Sequence, residues 1–526
     1  MKRFNTEGAC NPSENYMVDL TERLRQIKGL IDQGKYFSIN RARQYGKTTT
    51  LSALEQFLQP EYLVISLDFQ FLTHENFKNE HAFVSAFVDN LIYALPSDHS
   101  LDEDVLDNLQ KCADLETCGL SKLFQCLSAL CKVSDKPIVL IIDEVDSATN
   151  NQVFLDFLAL LRGYYLHRAK RPCFRSVILA GVYDIKQLQY KIRPEEEHKT
   201  NSPWNIAADF DIDMELDQKG IQKMLSEYEN DHHTGMQTDQ MAGLLYAYTS
   251  GYPYLVSRLC KLMDEKIAGT REFSDKTAVW TREGFLEAVK MLLLEKNSLF
   301  ESLINKLVDF PQLREILYSI LFLGNKVAYN PDQETIDFTS MLGFVKNDNG
   351  SLVISNRIFE TRVYNYFLSN EEISSVLSGA GTADKNQFIQ DGKLNMDLVL
   401  NKFQIHWNEL YHSADEKFVE NNCRKFFLLY LKPIINGTGN YYIEAQTRNN
   451  RRTDVIVDYR GIQYIIEIKI WHGNEYNERG ELQLADYLEG YNLSRGYLLS
   501  FNFNKQKVIG SREIVCKGKK ILEVVV

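Results

Sequence analysis

No stretch of this 526-residue chain holds the roughly 18 consecutive apolar residues that would cross a bilayer as a helix. Its opening, MKRFNTEGACNP, lacks the apolar core of a secretory signal. No membrane partner is therefore expected, and the expected compartment is the cytoplasm. Cysteine is sparse, with nine residues. The tightest group, Cys112, Cys118, Cys126 and Cys131, lacks the paired C-x2-C spacing of a zinc ribbon. These residues are expected to be reduced thiols. No internal repeat or low-complexity tract appears, and no Ser-His-Asp pattern points to acyl transfer. His232-His233 falls in a polar turn and reads as a solvent-facing pair. Positive charge is also short. The 59 Lys and Arg are outnumbered by 71 Asp and Glu, for a net charge of −12, which excludes a uniformly basic nucleic-acid-binding surface.

What is present suffices for several cores: 44% of residues are hydrophobic and 12% aromatic. The length suggests about three domains. The charge is uneven. From His412 onward there are 17 Lys and Arg against 14 Asp and Glu, a net +3, leaving −15 on the rest. A locally positive C-terminal module can meet a polyanion, although composition scatter gives the same numbers.

Near-continuous apolar runs at Tyr36–Asn40, Tyr62–Asp68, Ile138–Ile142 and Ser176–Gly181 alternate with helical patterns. Such runs suit parallel strands buried on both faces. From Asp217 to Asn370 the pattern is mostly helical, interrupted by MLGFVKNDNGSLVISN (341–356), which reads as strand, Asp-Asn-Gly turn and strand. That placement suggests a winged helix. Residues 371–410 read as a polar linker with short helices. The last stretch reads as a separate α/β unit, with a helix at Ala414–Ile435, strands at Tyr441–Gln446, Asp454–Tyr459 and Gln463–Ile470, and a helix at Glu481–Tyr491. The expected division is 1–216 for a P-loop core, 217–300 for a helical lid, 301–370 for the winged helix, 371–410 for the linker and 411–526 for the C-terminal domain.

Gly46-Lys47-Thr48 matches the end of the phosphate-loop pattern G-x-x-x-x-G-K-[ST]. Gly46 lets backbone N–H groups approach phosphate oxygens, and the following helix N-terminus, with Thr49, adds partial positive charge. Lys47 reaches the β and γ phosphates, and the Thr48 hydroxyl is suited to Mg²⁺. The first glycine of the pattern is replaced by Arg41, so the turn must form differently, and slow hydrolysis suits a switch. The run PIVLIIDEVD places Asp143 and Glu144 at the end of a buried strand. Asp143 would hold Mg²⁺ and Glu144 would polarise the attacking water. A plain turn and an acidic strand cap are the alternatives to these two readings.

Together RARQYGKTTTL, LIIDEVD, NSPWNI (201–206), SGYPYLV (250–256) and the opening FNTEGACNPSENYM (4–17) resemble the AAA-like ATPases, related to the STAND signalling ATPases. The resemblance covers about residues 1–370. It implies an ATP-binding α/β core with a parallel sheet, a helical lid with Gly251 and Pro253 near the nucleotide, a winged helix, and homo-oligomer formation through the ATPase domain. It also places Tyr16 and Met17 near the adenine, and offers Arg193, Arg41 or Arg43 for γ-phosphate charge, each with a surface arginine as the alternative.

In the last domain Asp454 opens one apolar strand, and Glu467 and Lys469 lie two apart on the next, so they share a face. A turn at Asp458–Gly461 would make the strands antiparallel and set Asp454 opposite Glu467. Two carboxylates and a lysine at a strand end suit metal-dependent phosphodiester hydrolysis. Glu420 on the preceding helix is a further candidate ligand, and Gln483 and Tyr487 share one face of the following helix. An ordinary charge pair on a solvated strand is the alternative. The pattern resembles the PD-(D/E)xK superfamily, that is, a restriction-endonuclease-like nuclease fold, over about residues 411–526. The resemblance implies Asp454, Glu467 and Glu420 as ligands of Mg²⁺ or Mn²⁺, Lys469, Gln483 and Tyr487 as catalytic-site residues, and DNA or RNA as substrate. Arg448, Arg451 and Arg452 would then meet the backbone. The pairing of the two domains implies an ATP-regulated nuclease in bacterial defence. A signalling or scaffold switch that binds without cutting, and a DNA-stimulated motor, are the competing readings.

Overall fold

The computed structural model describes residues 2–96, 101, 103–115, 117–148, 150–182, 204–322, 325–372, 376–410, 423–435, 438–443, 455–471, 474–503 and 509–526. Its contacts divide the chain into two compact units. One comprises Met1–Met224 with Tyr252–Tyr254 and Phe338–Gly343; the other takes in Leu225–Gly251, Leu255–Asp337 and Phe344–Val526.

The first unit is built on a parallel sheet. Helix α1 (Thr21–Asp32) leads into β1 (Phe37–Asn40), followed by α2 (Lys47–Leu58), β2 (Leu63–Asp68), α3 (Glu80–Tyr93), α4 (Glu103–Asp114), α5 (Leu120–Val133), β3 (Ile138–Asp143), α6 (Gln152–Leu166) and β4 (Ser176–Gly181). The strand order is β1-β4-β3-β2, all parallel. A single parallel bridge from Ala208 to Phe37 extends the sheet beyond β1. Every residue of β3 and β4 is buried, because helices cover both faces. The four apolar runs thus became strands within a residue of their expected limits. A cluster of Phe69, Phe77, Phe83, Phe87, Phe124, Phe154 and Phe157 fills one side of the sheet. Cys112 and Cys118, expected as thiols, form a disulfide with Cα atoms 5.7 Å apart. The short connection between α4 and α5 folds the two positions onto each other, a closeness that spacing along the chain does not reveal.

In the second unit, helices at Thr238–Thr249 and Arg282–Leu294 precede Ser298–Asp309 and Pro311–Leu321. Strands β5 (Val345–Asp348) and β6 (Ser351–Ile354) then form the expected hairpin. Its two-residue turn, Asn349-Gly350, has both φ angles positive, as a tight hairpin requires. The short helices expected in the linker are present and packed. Helices Val376–Asp384 and Met396–Leu410, with the small hairpin β7 (Ile389–Gln390) and β8 (Lys393–Leu394), join the C-terminal core. Phe403 packs on Phe427 and Phe501, with ring centroids 5.2 Å and 6.1 Å away. The polar surface of those helices conceals an apolar stripe.

The C-terminal sheet contains β9 (Gly439–Ile443), β10 (Val455–Tyr459), β11 (Ile462–Ile470), β12 (Arg495–Phe501), β13 (Gly510–Cys516) and β14 (Lys519–Val525), in the order β13-β14-β12-β11-β10-β9. Strands β10 and β11 are antiparallel across a turn at Arg460-Gly461, whereas β11, β12 and β14 run parallel. Helix Cys423–Ile435 lies on the face that carries Phe501, and Asn474–Gly490 covers the opposite face, its Leu488 set against Gly496. A six-stranded mixed sheet therefore follows the helical region, within the same compact unit.

Candidate nucleotide site and C-terminal carboxylate site

The turn between β1 and α2 is made by Gln44 and Gly46, both with positive φ, at 59° and 80°. Only backbone conformation demands glycine at 46, since an added Cβ would meet nothing closer than Pro253 at 3.9 Å. Lys47 is buried. Its ammonium donates to the carbonyls of Arg41 and Ala42, at 2.9 Å and 3.0 Å. Burial pushes the Lys47 pKa down, and the nearby Glu144 and Asp143 carboxylates oppose that shift.

Walker-type pairing is present across the sheet edge. The Thr48 hydroxyl donates to Asp143 Oδ2 at 3.0 Å, and the Glu144 N–H donates to Asp143 Oδ1 at 2.9 Å. Burial pushes the carboxyls of both Asp143 and Glu144 above the usual carboxylate range. Glu144 itself sits at φ 52°, so the chain turns sharply after Asp143. Asp146 Oδ2 then accepts the Val182 N–H at 2.6 Å, tying this turn to the end of β4.

Two neighbours frame the loop. Tyr252 donates to the Arg43 carbonyl at 2.7 Å and meets Tyr45 edge-on, with centroids 4.7 Å apart. Pro253 lies against Gly46. The expected Gly-x-Pro element therefore reaches the loop through its Tyr and Pro. From the other side, the Cys10 N–H donates to the Thr49 hydroxyl at 3.1 Å, so the opening segment lies over the start of α2. Tyr16 is buried against Phe4, with centroids 5.1 Å apart.

The Arg41 guanidinium donates to the carbonyls of Asn40, Phe210 and Ile212 and lies over the Phe210 ring. It anchors the loop to the segment beyond β4. Arg43 is exposed. Arg193 lies outside the described residues.

In the C-terminal sheet, Glu467 is fully buried. Neither of its carboxylate oxygens has a hydrogen bond among the described residues, and the Lys469 ammonium is 3.2 Å away as an ion pair. Helix Asn474–Gly490 passes directly above. A Cβ on Gly480 would run into the Lys469 ammonium, so the helix packs directly on that side chain and an added methyl would push its flexible end aside. Gln483 and Tyr487 lie on the same helix, both half-buried. The β10–β11 register ends at Val455 opposite Ile466, one residue before Glu467. Asp454, Glu420, Arg448, Arg451 and Arg452 lie outside the described residues. Sequence reasoning missed Gly480, whose signal is a lone glycine directly before the predicted helix start at Glu481.

A phosphate loop with a buried lysine, a strand-end acidic pair bonded to the loop threonine and a parallel β1-β4-β3-β2 sheet define a P-loop ATPase module. The chain belongs to the AAA-like domain family, whose model matches residues 11–362. The match ends before the C-terminal sheet. Among solved structures the chain is similar to the Walker-type ATPase paby2304 of Pyrococcus abyssi, at 12% identity and a TM-score of 0.44, covering 68% of this chain and 99% of that one. It is also similar to the ORC2 protein of Aeropyrum pernix in ADPNP–ADP complexes, at 12% identity and a TM-score of 0.35, over 68% and 94% of the two chains. The ORC1 protein of the same organism in complex with DNA matches at 12% identity and a TM-score of 0.29, over 67% and 94%. No curated protein matches the chain. Among the described residues, no helix is long and apolar enough to cross a membrane.

Proposed function

We propose that this chain is an ATP-binding switch that controls a divalent-metal-dependent nuclease in its C-terminal domain, acting on DNA or RNA. The observation that carries the nuclease reading is Glu467. A fully buried carboxylate without a hydrogen bond among the described residues costs the fold on the order of several kcal/mol, even with one ammonium beside it. A hard cation held by that carboxylate offsets the cost, and oxygen ligands fit Mg²⁺ or Mn²⁺. Glu467, with Asp454 and Glu420, would hold the metal. The chemistry such a cation supplies is neutralisation of charge on the scissile phosphate and activation of water.

Lys469 is held beside Glu467 and beneath Gly480, where its ammonium orients the attacking water. Gln483 and Tyr487 present polar groups from the covering helix. Arg448, Arg451 and Arg452 supply backbone phosphate contacts. At the nucleotide site, Lys47 turns from the loop carbonyls to the β and γ phosphates. Thr48 and Asp143 would hold Mg²⁺, Gly46 and Thr49 approach phosphate oxygens, and Glu144 positions water for slow hydrolysis. Bacterial defence is the setting this domain pairing suggests.

The competing reading is a scaffold switch whose C-terminal domain binds without cutting. On its side is the Glu467–Lys469 ion pair at 3.2 Å, which partners the carboxylate without a metal. Purified full-length chain incubated with plasmid, single-stranded DNA or RNA in Mg²⁺ or Mn²⁺ separates the two. Cutting that Glu467→Gln and Lys469→Ala each abolish supports the nuclease. Cutting that survives both changes contradicts the assignment of Glu467 and Lys469, and no cutting with any substrate favours the scaffold.

A further inference from the structure

The acidic pair at the end of β3 has a companion on β2 that the phosphate-loop pattern does not include. Strands β2 and β3 run parallel in a register that sets Asp68 beside Asp143. Paired positions on neighbouring strands point to the same face, about 4.8 Å apart. Both strands are largely apolar, and both end in aspartate at the edge that carries the phosphate loop.

Asp68 is held in place. Its Oδ1 accepts the Gln70 N–H at 2.8 Å, capping the turn Phe69–Phe71. That bond uses one oxygen, and the described residues offer no hydrogen bond or ion pair to the other. The lysine of the phosphate loop is turned elsewhere, since Lys47 donates to the Arg41 and Ala42 carbonyls. Asp146 is occupied by the Val182 N–H. Two strand ends thus crowd negative charge at one edge, with a fixed, half-used carboxylate among it.

We propose that Asp68 is a positioning residue for the Mg²⁺ that accompanies ATP, accepting hydrogen bonds from the ion's water shell next to Asp143. This rests on the reading of the loop as an ATP site. Mg²⁺ bound with nucleotide keeps several waters, and carboxylates that hold such outer waters fix the ion's orientation and tighten its binding. The plainer role of Asp68, as a cap for the following turn, needs only an acceptor oxygen, which Asn and Ser supply as well. The two roles therefore separate on charge.

The test titrates Mg²⁺ into full-length protein with a fluorescent ATP analogue, for the wild type, Asp68→Asn and Asp68→Ser. Both variants keep the cap and lose the charge. The expected result is that each raises the Mg²⁺ concentration for half-maximal enhancement of binding by about tenfold. Analogue affinity in EDTA and the melting temperature of the free protein stay at wild-type values. An unchanged Mg²⁺ response in both variants overturns the role of Asp68 and leaves the ATP site intact. A wild type that binds no analogue with or without Mg²⁺ overturns the ATP reading itself, and this proposal with it.

Discussion

Lys47 spends the nucleotide-free state inside its own loop, bonded to two backbone carbonyls that any phosphate must replace. Removing the side chain deletes the charged partner of the phosphates and leaves those carbonyls without a donor. Lys47→Ala is expected to weaken binding of a fluorescent ATP analogue by at least about tenfold, since charge-assisted hydrogen bonds are the strong ones. Asp143 works in the opposite sense. Burial raises its carboxyl, so the folded chain holds that proton more tightly than the unfolded chain does. The metal-free fold is then most favoured below the unfolded carboxylate range and loses this contribution as pH rises through the raised value. Asp143→Asn removes the buried charge while keeping an acceptor for Thr48. Its melting temperature in metal-free buffer at neutral pH should rise above wild type, while Mg²⁺-dependent nucleotide binding falls. Scanning calorimetry checks the first outcome; a melting point below wild type contradicts it.

At the scale of elements, two close approaches fix the sites. Arg41 ties the end of β1 to the carbonyls of Phe210 and Ile212. Truncation to Ala strands those acceptors in a part-buried setting and is expected to cost about 1–3 kcal/mol, read from the urea midpoint. Gly480 brings the helix directly onto Lys469. Gly480→Ala is expected to displace the Lys469 ammonium, the flexible end of its side chain, with little loss of stability and with loss of metal-dependent cutting. Wild-type cutting in that variant contradicts the placement of Lys469. Much of this was legible in the sequence. The four strands of the first sheet stood out because burial on both faces makes each one a continuous apolar run. The Asn-Gly turn marked its hairpin, and Glu467-x-Lys469 fell on one strand face as the two-residue period requires. What stayed hidden depends on tertiary contact. Arg41 is an apparent defect in the phosphate pattern and turns out to be a brace. Asp68 gains its meaning only from the register with Asp143. The helices at 376–410 looked polar because their apolar residues are spread across several turns.

At the scale of the whole molecule, one chain carries an AAA-like module and a mixed-sheet domain outside that family's match. The account joins them as switch and effector. Nucleotide binding biases the population of cutting-competent molecules, and its influence is limited to the difference in nucleotide affinity between the two states. The substitutions that empty one site must therefore leave the other chemically intact. Glu467→Gln should bind the ATP analogue as wild type does, and Lys47→Ala should retain the C-terminal site yet lose its response to ATP. The most direct measurement is cleavage of nucleic acid by the full-length chain in Mg²⁺ or Mn²⁺, with and without ATP, for wild type, Lys47→Ala and Glu467→Gln. The account predicts ATP-dependent cutting by wild type, cutting indifferent to ATP in Lys47→Ala, and none in Glu467→Gln. Equal cutting by wild type and Glu467→Gln would contradict it.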